Sequence, residues 1–485
     1  MKLRTLTLLC LMLLPGMVMA NELSFDQAWT KLQQVSDKLK ANAAEVSRAQ
    51  ALQRGGEDLG LPSLNLTGNY THLDNPVEMD LRDLNPLASL DPSAIAAVAQ
   101  KSPILGAVLP QLGGMLQSLP MTTALTEQDI FRASLQALWP IYTGGKITAA
   151  QRIQQAQVAE KKQSAELGRR ALFTTLVDRY YGVIVAKQAW RTQLQLVDAL
   201  KEHVNHAIKL EQQGQIAKVE RLNAEVALAN AKVGSGHAMR QYQMAQIALN
   251  RMLHSHNAEP DTGLFMLAQD PSLPSLTELT MAQHPALRLL EAKEEQAKGL
   301  ESLERSDYLP TVFMYGNYTL YEDDSIAAKM SPDWLVGVGI KVPLIANNGR
   351  SDKVEAAKSA LLQARYTKAQ TRQDLNLLLD QSYRQLQQAR EEVSSLNTTL
   401  ALARENLRLR ELAFNQGMST SVERVDAQVK LTAVETRQLA ATFQYVQAYA
   451  RLMAVSGQLD EFVARSGMDT AIHSLSMHGE NDNAR

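Results

Sequence analysis

Gly68-Asn69-Tyr70-Thr71 recurs letter for letter as Gly316-Asn317-Tyr318-Thr319, and Leu61-Pro62 just before the first recurs as Leu309-Pro310 just before the second, both at an offset of 248 positions. Further on the offset is 203: Trp139-Pro140-Ile141 answers Val342-Pro343-Leu344, Gln213-Gly214 answers Gln416-Gly417, and Val219-Glu220-Arg221 answers Val422-Glu423-Arg424. Short identical runs in one order mark an internal duplication. The change of offset puts a 45-residue insertion in the first copy, between Thr71 and Phe131.

Each copy reads as a helix, two strands and two long helices. The opening helices are expected at about Ser24–Arg54 and Leu279–Glu304. The first repeat, 21–254, carries strands at about 62–72 and 130–140 and long helices at about 146–213 and 217–253. The second, 255–460, carries strands at about 310–320 and 334–343 and long helices at about 352–416 and 420–456, and 461–485 reads as a polar C-terminal tail.

The strands alternate. Leu64, Leu66, Gly68 and Tyr70 share one face, as do Phe131, Ala133, Leu135, Ala137 and Trp139; Val312, Met314, Gly316, Tyr318 and Leu320; and Trp334, Val336, Val338, Ile340 and Val342. A period of two with one apolar face marks a half-buried strand, and none of these residues is charged. Tyr70, Phe131, Tyr318 and Trp334 lie toward the loop ends and Trp139 toward the helix end, as in the aromatic girdle of a membrane barrel. A soluble sandwich core is the competing reading of the same pattern.

The segment 146–213 has no proline, and a continuous helix there would be roughly 100 Å long at ~1.5 Å per residue. Val393, Leu396, Leu400, Ala403 and Leu407, and Val219, Leu222 and Val226, keep the 3-4 spacing of a coiled-coil seam. Gly214 and Gly417 mark the hairpin tips, where a positive φ ends a helix. Gly234-Ser235-Gly236 reads as a local bend.

Residues 1–20 have the form of a secretory signal peptide: Lys2 and Arg4, an apolar run from Leu6 to Leu14, and Val18-Met19-Ala20 before the cut. The only cysteine, Cys10, lies within it, so no thiol remains for a lipid anchor. No later run is apolar enough for a membrane helix, so a membrane passage requires strands. With 49 Lys+Arg against 51 Asp+Glu and a net charge of -2, no basic excess recruits nucleic acid. No catalytic or nucleotide-binding motif stands out, so an enzyme is not expected and no cofactor is called for.

Four strands cannot close a barrel in lipid, where unpaired edges are excluded. The duplicated plan, the Leu-Pro before each first strand, the Pro closing each second strand and the Gly at each tip resemble the TolC family of outer-membrane efflux and secretion channels, over residues 22–460. The resemblance implies a mainly α protein with a small membrane β-barrel. A homotrimer would form a 12-stranded barrel in the outer membrane of a Gram-negative bacterium, continued by an α-helical barrel across the periplasm. It also implies docking to a periplasmic adaptor and an inner-membrane transporter, in multidrug efflux or type I secretion.

The family closes its channel at the tip, with polar links between helices and rings of acidic side chains. Counted from the tip glycines, the matching positions are Glu220, Phe414, Ser419, Glu423 and Asp426. Phe414 stands where a Tyr hydroxyl would form a link, and Ser419 where an Arg would. Arg424 and Arg221 could supply the missing cation or pair with neighbouring Glu. His203 with His206, and His254 with His256, lack the further ligands that zinc needs and read as surface residues. The competing function is an exported coiled-coil scaffold or adhesin without a pore; the uncharged face of all four strands separates the two, and recovery in the soluble periplasm would favour the scaffold.

The insertion, within residues about 74–125, is apolar in Ile95-Ala96-Ala97-Val98 and in Ile104-Leu105-Gly106-Ala107-Val108-Leu109. Three such loops would not stand free in water and are expected to pack together at the outer mouth. Deleting residues 85–121 should therefore leave trimers intact and raise single-channel conductance. Unchanged conductance in correctly inserted trimers would refute the cap.

Overall fold

A computed structural model describes residues 21–80 and 122–467, with the single positions 93 and 97. The expected signal peptide and, apart from Ala97, the apolar runs of the insertion lie outside the described residues. In chain order the elements are β1 (Asn21–Leu23), α1 (Phe25–Val35), α2 (Asp37–Glu57), β2 (Ser63–His72), β3 (Glu78–Asp80), β4 (Thr122–Ala124), β5 (Asp129–Tyr142), α3 (Lys146–Gln212), α4 (Lys218–Met252), β6 (Ala258–Pro260), α5 (Leu273–Gln283), α6 (Pro285–Ser306), β7 (Thr311–Glu322), α7 (Ile326–Met330), β8 (Trp334–Lys341), α8 (Arg350–Asn415), α9 (Ser421–Ser456) and α10 (Leu459–Gly467). The chain divides into two units, one made of Leu52–Gln154 and Ala297–Ser359 and the other of the remaining segments.

The first unit is built on an antiparallel sheet in the order β2-β5-β7-β8, so the two hairpins of the duplication pair through their inner strands and leave β2 and β8 as edges. Gly316 faces Ala137, which brings the two copies' apolar faces onto one side. That side is uncovered: Leu64, Leu66, Trp334, Val336, Val338 and Ile340 are each 60–69% exposed. The sandwich reading is thereby overturned, because a sandwich core would bury this face. On the opposite side β8 places Gly337 and Gly339 against Tyr315 and Phe313 of β7, whose rings lie 2.6 and 2.5 Å from where a Cβ would stand. The two aromatic rings fill the space that the glycines leave. Pro140, which cannot donate to a ladder, sits at a register shift near the end of β5. Beyond the sheet, the foot of the insertion forms the β3–β4 pair.

The second unit holds the aromatic core. Phe25 is fully buried and lies 5.3–5.7 Å, centroid to centroid, from Phe173, Tyr180, Tyr181 and Phe462. Tyr180 donates to the Leu23 carbonyl and accepts from the Asp261 and Thr262 amides, tying β1 to the stretch after β6, with which β1 pairs in parallel. The first two helices of each copy correspond at the offset of 248, and each pair is divided at one residue, Ser36 or His284. The single opening helices expected from the sequence are therefore corrected to two per copy. Ser36 sits in extended backbone and its hydroxyl accepts from the Leu39 amide, starting a new helix. At His284 the following Pro285 disfavours helical backbone.

Two further readings change. Part of the expected polar tail is α10, which buries Phe462 in the aromatic core. The Gly234-Ser235-Gly236 run does not interrupt α4; Ser235 is buried, and a Cβ on Gly234 would meet Gln193 Oε1 at 3.2 Å, so glycine there permits close packing on α3.

Because Phe25 joins β1–α1 to α3 and α10, truncating it should loosen all of them. Phe25→Ala is expected to cost about 3–5 kcal/mol, read as a lower denaturant midpoint of the helical circular dichroism signal in detergent. A midpoint equal to the parent's would show that the aromatic cluster does not hold the unit together.

Candidate functional site at the helical hairpin tips

Both tips are built alike. Gly214 (φ 72) and Gly417 (φ 73) occupy the left-handed position. Gln215 and Met418 donate back to the Leu210 and Ala413 carbonyls, and the glycine amides donate to Glu211 and Phe414. These are Schellman turns, which satisfy the last carbonyls of α3 and α8. The returning helices start differently. α9 opens with a capping box: Thr420 Oγ1 accepts from the Glu423 amide and Glu423 accepts from the Thr420 amide. α4 opens at Ala217, which has no capping side chain.

That difference redirects Glu220, the counterpart of Glu423. With no capping box to complete, its carboxylate reaches the other hairpin and accepts from the Ser421 amide at 3.1 Å. Ser421 begins α9, where amides lack partners within the helix and the dipole favours a negative charge.

Glu423 is held within its own hairpin by Ser419 Oγ at 2.6 Å and Arg410 at 2.9 Å. The Ser419 hydrogen bond, then the Thr420 amide and the Arg410 charge, hold its carboxyl below the usual range. Arg424 pairs with Glu411 at 2.9 Å, and Arg221 with Glu211 and Glu225, so both arginines join neighbouring carboxylates. Asp426 is exposed and makes no hydrogen bond or ion pair among the described residues. Thus Glu220 is brought to the other hairpin, Glu423 is drawn into a local cap, and Asp426 stays apart from both.

Phe414 is 5% exposed and forms a wall for a residue read as a surface histidine. His203, on α3, is fully buried: its ring lies 5.0 Å from that of Phe414, edge-on, and its Nε2 is 2.6 Å from Ser421 Oγ. Burial, then the charges of Arg424 and His206, push its pKa down to about 4. This corrects the surface reading for His203; His206 is exposed. The available signal was position: Leu196, Leu200, His203 and Ala207 continue the 4-3-4 seam of α3. Thr420-x-x-Glu423 likewise carried a capping-box signature.

At the sheet, Tyr70 pairs with Phe131 and Tyr318 with Trp334 across neighbouring strands, and all four are 43–67% exposed. Trp139, 44% exposed, donates its indole N–H to the Gly60 carbonyl. Phe131 and Trp139 are eight residues apart on β5, about 27 Å along the strand at ~3.4 Å per residue and roughly 21 Å in height at a ~40° tilt, on the scale of the ~25 Å apolar band of outer-membrane barrels. No helix of the described residues is long and apolar enough to cross a membrane.

Comparison with known proteins places this architecture. The chain is 23% identical over 263 residues to Protein CyaE of Bordetella pertussis, a match covering 52% of this chain and 55% of that protein; the chain thus spans about half the length of this curated relative. Its fold is similar to the crystal structures of CusC (TM-score 0.71, 13% identity, covering 89% of this chain and 91% of that one) and of the Campylobacter jejuni CmeC outer membrane channel (TM-score 0.70, 12% identity, 92% and 90%). The model of the family described as outer membrane efflux protein matches residues 30–254 and 276–458. The chain belongs to the family of outer membrane efflux proteins.

Proposed function

We propose that three copies of the chain form a channel giving passive exit to substrates handed over by a periplasmic adaptor and an inner-membrane transporter, in multidrug efflux or type I secretion. The observation that carries this reading is the uncharged, uncovered face of the β2-β5-β7-β8 sheet together with its two open edges. The strands alternate in direction, so β8 of one copy beside β2 of the next continues the antiparallel order. Three copies then give twelve strands, an even number within the range of bacterial barrels. Outer-membrane lipid meets the exposed face, and Tyr70, Phe131, Trp139, Tyr318 and Trp334 mark its two interfaces. Residues 1–20 direct export, and the repeats 21–254 and 255–460 each contribute one hairpin to the barrel and one to the tip. No nucleic acid takes part, and the transporter supplies the energy.

The tip is the gate in this reading. Glu220 links the hairpins, Phe414 packs the joint, and Ser419, Glu423 and Arg424 brace the turn. Asp426, with no partner of its own among the described residues, would provide three carboxylates in a trimer. Such a ring favours cations in a narrow pore.

Light scattering in mild detergent should give a homotrimer; a monomer or dimer with intact secondary structure would overturn the assembly. In planar bilayers Asp426→Asn should lower the cation-to-anion permeability ratio at least about two-fold, as a focused negative potential is removed. Glu423→Gln should change it less, its charge being held by Arg410 and Ser419. Equal ratios for parent and Asp426→Asn would place the constriction elsewhere.

A further inference from the structure

His203 is a buried polar side chain that the channel reading does not use. It projects from the first hairpin, and the residues seating it belong to the second: Phe414 in the last turn of α8 and Ser421 at the start of α9. Ser421 is itself fully buried. Its hydroxyl meets His203 and its amide meets Glu220, so two polar links from the first hairpin converge at the tip on one residue of the second.

The second ring nitrogen sets the chemistry. His203 Nδ1 is buried and has no hydrogen-bond partner among the described residues. With the proton on Nε2, donated to Ser421 Oγ, Nδ1 carries only a lone pair, and the neutral ring fits. Protonation places an N–H and a positive charge at Nδ1, where no acceptor waits. An unpaired charged donor in a buried site is strongly unfavourable. The surroundings oppose it as well: Arg424 on α9, then His206 on α3, disfavour the imidazolium. Of the surrounding carboxylates, Glu220 on α4 is engaged by the Ser421 amide, Glu411 on α8 by Arg424, and Glu423 on α9 by Arg410 and Ser419. None of them bonds to Nδ1.

We propose that His203 is a pH-operated latch: its neutral imidazole pins Ser421 and Phe414 of the second hairpin to the first, and its protonation in an acidified periplasm releases them and loosens the tip. The role in gating rests on the channel reading above; the latch itself does not. Since burial lowers the pKa of the seated ring to about 4 from an ordinary 6.5, the joined state is fully favoured above the ordinary value. It loses ground as pH falls between those two values and changes no further below the lower one. Within that window each pH unit shifts the joined-to-released ratio by up to about ten-fold.

The test uses the full chain in detergent. Its only cysteine, Cys10, lies in the expected signal peptide, so spin labels at Gln213→Cys and Gln416→Cys, both exposed at the tips, report hairpin separation by pulsed electron resonance. Between pH 7.5 and 5 the separation should grow in the parent and in His206→Gln. In His203→Gln, whose amide can still donate to Ser421 but does not titrate, it should stay short. The His203 imidazole, followed by nuclear magnetic resonance in the parent, should titrate together with the separation. A parent separation that does not change with pH, equal lengthening in His203→Gln, or an imidazole titration that does not coincide with the separation would each overturn the latch. Bilayer conductance over the same range then tests the gate: separation without a rise in open probability upholds the latch and overturns the channel-gate reading.

Discussion

The constraint on which the rest depends is an unfinished hydrogen-bond ladder. β2 and β8 each have one paired and one unpaired edge, and within lipid every unpaired backbone group costs several kcal/mol because no water is present to replace the missing partner. The face between those edges is apolar and uncovered, so the sheet is suited to lipid only once its edges are closed. Other copies of the chain can close them without bending four strands into an impossibly narrow cylinder. The helices have the same incompleteness in a milder form. Val219, Leu222, Val226 and Val233 leave an exposed apolar stripe along α4, and Leu402, Leu409 and Leu412 another on α8. Water can satisfy a helix backbone, so there the force toward assembly is hydrophobic area rather than unpaired amides.

The duplication supplies two copies of one plan, and local chemistry then makes them unequal. Lys187 and Tyr242 have Arg390 and Tyr445 as counterparts at the offset of 203. Lys187 pairs with Glu259 and Arg390 with Asp270, so each copy's long helix clamps part of the stretch between α4 and α5 with a cation. The clamp is kept while the acid changes position. At the tips the divergence goes further: Thr420 caps its helix and Ala217 cannot, which sends two equivalent glutamates to different partners.

Most of the fold was legible because it is written in short-range periodicity. Alternation placed the four strands, glycine at the tips placed the turns, and proline-free stretches placed the long helices. The helix break at Ser36 escaped because serine is compatible with a helix interior until its hydroxyl finds the Leu39 amide. Phe462 escaped because its burial depends on Phe25, Phe173 and Tyr449, none near it in sequence except Tyr449. Glu220 and Phe414 were legible as residues near the hairpin tips, but their contacts were not. His203 and Ser421 are 218 residues apart, and no local pattern states that they meet.

That meeting also explains why the joint between hairpins is one-sided. The counterparts of His203 and Ser421 at the offset of 203 are Asn406 and Lys218, both exposed. A neutral imidazole and a hydroxyl can be buried together because they share a hydrogen bond; an asparagine and a lysine at the same places remain in water. At the described tips the buried imidazole–hydroxyl joint is therefore made by His203 and Ser421 and not by their counterparts, and any assembly of chains repeats it once per copy. A single proton at each one acts on a buried pair.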